Sequence, residues 1–379
     1  MKILWFLDKE LDTATNKSRV LEVMKYFQRE HEIHLVTGYR NEKIQFDELE
    51  NEIRYIDSVK VPVMNRVITY FNQVNRFDSI VREREPDILL FNTSNYWLLK
   101  RAEQKRAELG YKLILDIRTL PVQSGAVSNR IDTYLFKKNL QFASETFDGV
   151  TYITEEMRRY CTEEYHLPEH ESVIWSSGVD TDLFRPINGK VSDNRSFTLI
   201  YHGTLADNRG LDNLVRALSL IDEEVHLMLL GSGNGEENLK HLVEELSLDQ
   251  RVTFFPPVPY REVMEFINQA DVGVLPFRNW PAWNTSSPIK LFEYLASGMP
   301  VIVTKIPAHL NVLDNEPFAF WAENQSPRTL ARTIEETMRN SVSLRGLGTK
   351  ARKFALEHFT WAHQIQKFEQ YLLRLLENA

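Results

Sequence analysis

The sequence has one cysteine, Cys161, among 379 residues. A single cysteine excludes a disulfide within the chain and a zinc site built from cysteines, so a reducing compartment is expected. No stretch approaches the roughly 20 apolar residues of a membrane-spanning helix. The N-terminal stretch MKILWFLDKELD lacks the apolar length of a signal peptide. We therefore expect a cytoplasmic protein.

The chain also has fewer basic residues than acidic ones. Its 45 lysines and arginines are outnumbered by 53 acidic residues, which gives a formal net charge of −8. A nucleic-acid partner usually requires a net basic face, so we expect none. Neither half of the chain opens with the G-x-G-x-x-G spacing, which disfavours a nicotinamide-dependent dehydrogenase.

Short apolar strands alternate with helical patterns along both halves of the chain. KILWFLD (2–8) and EIHLVTG (32–38) have the composition of buried strands, and helical spacing marks the residues between them. The alternation restarts with FTLIYHG (197–203) and VHLMLLGSG (225–233). Strands and helices at this spacing predict parallel βαβ units in doubly wound sheets.

The segment RPINGKVSDNRS (185–196) breaks this alternation and reads as a linker. We predict an α/β protein with two Rossmann-like domains, residues 1–188 and 189–359. An amphipathic helix at about 360–379 is expected to pack back on the first domain. Ligands bind at the carboxyl ends of parallel strands, so we expect the site in a cleft between the two sheets.

Five stretches in order resemble motifs of the retaining family-4-type glycosyltransferases. They are WSSGVDTDLFRP (175–186), YHGTLADNRGLDNLVRAL (201–218), the stretch 227–277, NTSSPIKLFEYLASGMPVIVT (284–304) and FTWAHQIQKFEQYL (359–372). The fourth stretch is similar to the SPxKLFEYLA loop variant of bacterial polysaccharide enzymes. The resemblance implies a GT-B fold, a nucleotide sugar in the second domain, an acceptor in the first, and retention at the anomeric carbon. The first half resembles the family in pattern alone.

Two loops of the second half are candidates for phosphate contact. Gly231 and Gly233 follow a strand, where glycine permits a tight turn and close approach of the backbone to a ligand. The alternative is a plain strand-to-helix turn. Gly203 and Arg209 belong to the preceding loop, and an arginine there would stabilise a diphosphate leaving group. The alternative for Arg209 is a solvated surface charge, and Thr204 stands where the family motif has a second basic residue.

The donor loop and helix carry the remaining candidates. By the resemblance, Glu293 matches the glutamate that binds both ribose hydroxyls, since a carboxylate can accept two hydrogen bonds. Lys290 either neutralises a phosphate or pairs with Glu293. Backbone amides at this helix start are expected to face the diphosphate. The residues expected to contact the donor here are Thr285, in place of the family's first glutamate, and Ser286, Ser287, Pro288 and Ile289.

In the first half, LILDIRTLP (113–121) ends a predicted strand at the expected cleft. Arg118 is a candidate for contact with a donor or acceptor phosphate, and the alternative is a buried ion pair with Asp116. Asp180 and Asp182 have the spacing of a D-x-D metal motif, but their hinge position favours a role in capping a turn. We therefore expect no metal and no cofactor.

The favoured function is transfer of a sugar from a nucleoside diphosphate sugar, uridine-linked, to a glycan or lipid-linked acceptor. Arg209, Lys290 and Arg118 are the expected catalytic residues. An inactive donor-binding partner subunit and a sugar-nucleotide epimerase are the alternatives. The segment NRIDTYLFKKNLQF (129–142) surrounds an apolar stripe with basic and aromatic residues. This pattern suits weak peripheral contact with the inner face of a membrane. The alternative is a helix packed on its sheet.

Overall fold

The computed structural model describes residues 1–7, 14–37, 53–56, 62–92, 95–121, 126–168, 170–187 and 196–377. For residues 14–18, 62–66 and 126–129 it describes the backbone alone. The chain forms two compact units. Unit one comprises Met1–Ser176 with Gln364–Ala379, and unit two comprises Ser177–His363.

Unit one is built on a parallel sheet with helices between its strands. Its strands are β1 (Lys2–Leu7), β2 (Glu32–Thr37), β3 (Ile53–Tyr55), β4 (Ile88–Asn92), β5 (Lys112–Ile117), β6 (Gly149–Tyr152) and β7 (Ser172–Ile174). Its helices are α1 (Ala14–Phe27), α2 (Pro62–Arg84), α3 (Tyr96–Leu109), α4 (Ala126–Thr146) and α5 (Glu155–Tyr165). The strand order is β3-β2-β1-β4-β5-β6-β7, so the direction of winding reverses between β1 and β4.

Unit two repeats this plan with a six-stranded sheet. Its strands are β8 (Phe197–His202), β9 (Val225–Leu230), β10 (Val252–Phe255), β11 (Val272–Leu275), β12 (Val301–Thr304) and β13 (Ala319–Ala322). Its helices are α6 (Leu211–Leu218), α7 (Glu236–Glu245), α8 (Val263–Ile267), α9 (Pro281–Asn284), α10 (Ile289–Ala296), α11 (Pro307–Leu313), α12 (Pro327–Arg339) and α13 (Leu344–His358).

The sheet order of unit two locates its ligand-binding edge. The order is β10-β9-β8-β11-β12-β13, with all pairs parallel. The chain winds outward in one direction from β8 and in the other from β11. A crevice opens at the carboxyl ends of two strands where winding reverses in this way. A ligand-binding site is therefore expected at the loops after β8 and β11.

Both sheets are buried because helices cover parallel strands on each face. β1 is buried from Ile3 to Leu7, and β11 and β12 are buried along their whole length. Near-continuous apolar runs such as KILWFL and VIVT fit this environment, since neither face of such a strand meets water. The prediction of an α/β protein with two Rossmann-like parallel sheets is confirmed.

The last helix, α14 (Trp361–Glu377), belongs to unit one from Gln364 onward. Phe368 stacks on Trp175 with ring centroids 4.7 Å apart, and the Tyr26 hydroxyl donates to Glu369 at 2.9 Å. None of the helices among the described residues is long and apolar enough to cross a membrane.

The division between the units falls at Ser176 and Ser177, earlier than the sequence suggests. The predicted boundary between residues 188 and 189 lies outside the described residues. The segment after Ser177 packs in unit two: the Val179 amide donates to the Phe359 carbonyl at 2.8 Å, and the segment then continues into the core. These contacts are long-range in sequence, so composition along the chain does not reveal them.

Candidate functional site

A cluster of charged and aromatic side chains lies in unit two where the winding of the sheet reverses. Lys290 lies in the first turn of α10, and its ammonium lies 3.8 Å from the centroid of the Tyr201 ring in β8. Gly203 follows β8 with φ +107°, and a Cβ atom there would lie 3.0 Å from the Lys290 Nζ. Glycine at this position therefore satisfies the backbone conformation and leaves room for the ammonium.

The charge of Lys290 is held in an unfavourable environment. Burial, followed by the nearby positive charge of Arg209, holds the pKa of Lys290 well below its usual value, and Glu293 opposes the shift. A lysine in this state gains from the approach of an anion, because the anion compensates both the lost hydration and the repulsion.

Arg209 stands on two aromatic rings. It ends a short 3₁₀ helix, Asp207–Arg209, and its guanidinium carbon lies 4.0 Å from the Trp283 centroid and 5.3 Å from that of Phe277. The Trp283 indole donates to the Asn208 carbonyl at 2.9 Å, which fixes the ring beside the arginine. Arg209 is partly buried and its Nε has no hydrogen-bond partner among the described residues. This environment disfavours the alternative of a solvated surface charge.

The two cations share one aromatic neighbour, and neither forms an ion pair among the described residues. The Lys290 Nζ lies 5.9 Å from the Phe277 centroid, so Phe277 contacts both charges. Among the residues that the structure describes, no carboxylate oxygen lies within 4.0 Å of the charged nitrogens of Arg209 or Lys290. Two cations without an ion-pair partner among the described residues, at the carboxyl ends of central strands, form a suitable site for a phosphate-bearing ligand.

Glu293 lies one helical turn from Lys290 but does not form the predicted alternative ion pair with it. The side chain is 2% exposed and accepts a hydrogen bond of 2.7 Å from the Tyr260 hydroxyl. Its second oxygen lies 3.1 Å from Nε2 of His202, at the end of β8. A carboxylate has about four acceptor positions, so these neighbours leave capacity for the hydroxyls of a ligand.

The loop before α10 corrects one expectation about backbone donors. The amide and the hydroxyl of Ser286 both donate to the Trp283 carbonyl, at 3.2 and 2.8 Å. Thr285 likewise directs its amide and hydroxyl to Pro281, at 3.1 and 2.9 Å. These amides therefore serve the turn and do not face a ligand. The amides of Ile289 and Lys290 lie in the first turn of α10, where a helix supplies no acceptor of its own.

The remaining loop residues surround this cluster through backbone contacts. The Ser287 carbonyl accepts from the Ser177 hydroxyl at 2.9 Å, and Pro288 precedes the first turn of α10. Thr204 is exposed, and its carbonyl accepts from the Tyr201 hydroxyl at 3.1 Å. The Thr204 carbonyl therefore helps to fix the ring on which the Lys290 ammonium lies.

Two glycines of the neighbouring loop have a packing reason of their own. Gly231 has φ +136°, and a Cβ there would lie 2.0 Å from the Gly203 carbonyl oxygen. A Cβ at Gly233 would lie 2.4 Å from the Leu205 carbonyl oxygen. Both glycines are thus required for two strand-end loops to pack together, whether or not a ligand contacts them.

Arg118 lies in unit one, where its geometry favours the structural alternative. Its guanidinium donates to the carbonyls of Trp175 and Ser176, at 2.6 and 3.3 Å, and stacks 4.0 Å from the Trp175 centroid. Burial lowers the pKa of Arg118 to about 9, while the charge of Asp116 raises it and that of Arg19 lowers it. These contacts occupy its terminal nitrogens. A catalytic role for Arg118 stays a prediction.

Four residues of the candidate site were not predicted from the sequence: Tyr201, His202, Tyr260 and Trp283. Each is an aromatic or histidine residue whose role depends on a distant partner, as with Tyr260 and Glu293. Spacing along the chain does not reveal such pairs. The one available signal was the unusual concentration of tryptophan in RNWPAW (278–283), beside the donor loop.

Clusters of side chains that could bind a metal ion are few among the described residues. One group there could hold an ion: Glu30, His31 and Glu369, in unit one, with ligand atoms within 4.8 Å of one another. Direct contact of His31 with Glu369, at 2.7 Å, satisfies this group without an ion. Asp180 accepts from the amides of Asp182 and Leu183, both at 3.0 Å, which is the capping role that the sequence predicts.

Two family models match consecutive parts of the chain. Residues 18–183 match the model described as Glycosyltransferase Family 4, and residues 185–354 match the model described as Glycosyl transferases group 1. The two matches meet near the division between the units and together leave only the ends of the chain uncovered.

Curated relatives match over part of their length. A D-inositol 3-phosphate glycosyltransferase of Pseudarthrobacter chlorophenolicus is 33% identical over 142 residues, which are 34% of this chain and 33% of that protein. An O-antigen biosynthesis glycosyltransferase of Escherichia coli is 24% identical over 231 residues, 59% of this chain and 60% of that protein. The chain thus spans a third to three fifths of these two relatives.

Solved structures share the fold over the whole chain. Sucrose-phosphate synthase from Thermosynechococcus elongatus superimposes with a TM-score of 0.80 at 17% identity, covering 100% of both chains. The Anabaena protein HepE, solved in complex with UDP, superimposes with a TM-score of 0.75 at 15% identity, covering 99% of this chain and 100% of that one. At these identities the likeness establishes the fold, which is GT-B.

Proposed function

The chain belongs to the family-4 type of glycosyltransferases, and from this premise we propose that it transfers a sugar from a nucleoside diphosphate sugar to an acceptor. The proposed donor is uridine-linked. The proposed acceptor is a glycan or a lipid-linked saccharide on the cytoplasmic side of a membrane, with peripheral contact of the protein at that surface.

One observation carries this proposal. Arg209 and Lys290 converge beside Phe277 at the carboxyl ends of β8 and β11, and neither forms an ion pair with a carboxylate among the residues described. A diphosphate bound there would meet both charges. Glu293 lies one turn further along α10, and we propose that its carboxylate binds the ribose of the same nucleotide.

The mechanism follows from where charge develops. As the glycosidic bond breaks, negative charge grows on the diphosphate, and the two cations stabilise it more in the transition state than in the ground state. Because Arg209 and Lys290 are held on rings before the ligand arrives, little reorganisation accompanies the reaction. We propose that the acceptor attacks the face that the leaving group occupied, which gives retention.

A nucleotide-binding measurement tests the donor site. We expect UDP to raise the melting temperature, because a ligand that binds only the folded state adds about 2.7 kcal/mol at a hundredfold excess over its dissociation constant. A panel of nucleoside diphosphates identifies the base. Failure of every nucleoside diphosphate to stabilise the protein at millimolar concentration would overturn the donor-site assignment.

Transfer without a metal ion is part of the proposal. Arg209 and Lys290 would carry the charge compensation that a divalent ion provides in other transferases. Turnover should therefore continue in EDTA. Loss of turnover in EDTA, with recovery on addition of magnesium or manganese, would contradict this part.

An inactive donor-binding subunit is the second candidate, because Thr285 replaces a family glutamate and its hydroxyl is bonded within its own turn. Release of UDP from candidate donors in the presence of acceptor supports an active enzyme. Binding of UDP without any such release supports the inactive subunit. A sugar-nucleotide epimerase would convert the donor to its epimer without an acceptor, which product analysis detects.

A further inference from the structure

Five large apolar side chains of unit one are exposed on the N-terminal halves of three helices. They form what we call the apolar patch: Val67 and Phe71 of α2, Trp97 of α3, and Ile131 and Tyr134 of α4, each between 55% and 67% exposed. Single exposed apolar residues are ordinary on a protein surface, whereas a contiguous group marks an interaction site. The five side chains mark such a site only if they are neighbours.

The sheet topology brings the three helices side by side. α2, α3 and α4 lead from β3 to β4, from β4 to β5 and from β5 to β6, all in one direction across the sheet. Right-handed crossovers in one direction lie on one face of a sheet. Each of these helices follows the carboxyl end of a strand, so their N-termini lie along the same edge.

Contacts join the start of α3 to the N-terminal half of α2 and to the middle of α4. The Asn95 side-chain amide, at the start of α3, donates to the Tyr70 carbonyl at 3.1 Å, one residue before Phe71 of α2. The Lys138 ammonium of α4 lies 4.3 Å from the centroid of the Tyr96 ring of α3. The exposed side chains on the three helices therefore belong to one surface.

The charge around the apolar patch is positive. The first turns of α2, α3 and α4 contain no acidic residue, so nothing there offsets the partial positive charge of the helix N-termini. Three exposed bases add to this charge: Lys100, Arg130 and Lys138. Asp132 is the one acidic residue of α4 before Glu145.

We propose that the apolar patch docks on a lipid bilayer that carries anionic headgroups. The aromatic members, Phe71, Trp97 and Tyr134, suit the boundary between headgroups and acyl chains. The bases and helix N-termini meet the lipid phosphates. This inference deepens the peripheral membrane contact of the proposed function, but its observations lie in unit one and its test does not depend on sugar transfer.

The structure thereby changes the assignment made for the segment 129–142. Leu140 is buried, and Phe136 and Phe142 pack against the core of unit one. Its exposed large apolar side chains are Ile131 and Tyr134. The bilayer contact therefore depends on three helices together and not on one interfacial helix.

Co-sedimentation of the full chain with vesicles tests the proposal. We expect binding at low salt to vesicles that contain phosphatidylglycerol, weaker binding to phosphatidylcholine alone, and release at high salt. Lys100→Gln and Lys138→Gln should each lower partitioning about fivefold. The double variant Phe71→Ser/Trp97→Ser should lower it more than about tenfold, because two interfacial aromatics are removed.

Controls in unit two separate this surface from general adhesion. Val342→Ser and Leu220→Ser remove exposed apolar side chains elsewhere and should leave partitioning unchanged. Trp97 is the most exposed tryptophan, so brominated lipids should quench fluorescence in the parent and much less in Trp97→Phe.

The proposal is overturned if anionic vesicles do not sediment the protein at low salt or if the control variants lose as much binding. It is also overturned if patch variants convert a dimer to a monomer in light scattering, since the partner would then be a second copy.

Discussion

The guanidinium carbon of Arg209 lies 4.0 Å from the centroid of the Trp283 ring, and an aromatic face replaces the carboxylate that usually accompanies a buried arginine. An ion pair would cancel most of the field of the cation. A ring attracts the cation while leaving its net charge available to a ligand. Trp283 is in turn fixed by its hydrogen bond to the Asn208 carbonyl. Trp283 therefore acts as a positioning residue for Arg209.

Substitution of Trp283 should weaken nucleotide binding in steps. Trp283→Leu removes the ring and should lower UDP affinity about tenfold, since a cation–π contact contributes about 1–2 kcal/mol. Trp283→Phe keeps a ring but loses the bond to Asn208, so an intermediate loss is expected. Calorimetric titration with UDP, alongside thermal melts of each variant, measures both effects. Equal affinity in the parent and Trp283→Leu would show that the ring does not position the arginine.

Nucleotide binding should take up protons through Lys290. Burial and the nearby Arg209 lower the pKa of Lys290 in the free protein, and a bound diphosphate raises that pKa again. Binding therefore weakens as pH rises through the pKa of the bound form. Calorimetry in buffers of different ionisation enthalpy, repeated over a series of pH values, reports the uptake. Lys290→Met should abolish it and Lys305→Met, at an exposed ion pair with Glu323, should retain it.

Glu293→Gln should impair nucleotide binding more than folding. The change removes a charge and one acceptor, and the expected loss in binding is about 1.5–3 kcal/mol. Tyr260→Phe is the matched control, because it removes the 2.7 Å hydrogen bond to Glu293 and leaves the carboxylate in place. A smaller loss is expected for the control. Unchanged UDP affinity in Glu293→Gln, with a lowered melting temperature, would assign Glu293 to structure alone.

The sequence allowed the fold to be predicted because its signals are local. Apolar runs such as VIVT and the glycine after β8 specify strands and turns over a few residues, and parallel topology follows from their spacing. Lys290, Glu293 and Arg209 could be named as site candidates, since they belong to motifs of fixed spacing, and their roles stay predictions. The short strand β13 and the helices α11 to α13 were not predicted, because their apolar patterns are brief or interrupted.

The site was harder to predict wherever a contact joins distant segments. Tyr260 and Glu293 are 33 positions apart, and Trp283 and Asn208 are 75 apart, so no window along the chain contains either pair. The role of Ser286 was misjudged for a related reason. A helix start suggested outward-facing amides, but the short helix α9 directly before it captures that amide within its own turn.

Removal of the charge of Asp116 should destabilise unit one strongly. This buried carboxylate accepts from Thr151 and Trp175, at 2.7 and 3.1 Å, and lies 3.4 Å from the Arg19 guanidinium. Asp116→Asn leaves buried arginine charge uncompensated, at an expected cost of about 3–5 kcal/mol in urea unfolding. Asp78→Asn is the control, since its pair with Arg101 is partly exposed and should contribute about 0–1 kcal/mol. Similar losses for both variants would contradict this view of the buried network.

His309 should make the protein less stable as pH falls below about 6.5. Burial lowers the pKa of His309 to about 4, while its Nδ1 donates to the Thr304 carbonyl at 2.7 Å. Between these two pKa values the unfolded chain binds a proton that the folded chain does not, so the free energy of unfolding decreases with falling pH. The expected decrease from about pH 7 to about pH 5 is about 2 kcal/mol. His309→Gln keeps an amide donor and cannot titrate, so its free energy of unfolding should fall by about 2 kcal/mol less over the same range. Parallel pH dependence of urea unfolding in the parent and the variant would show that folding leaves the pKa of His309 unchanged.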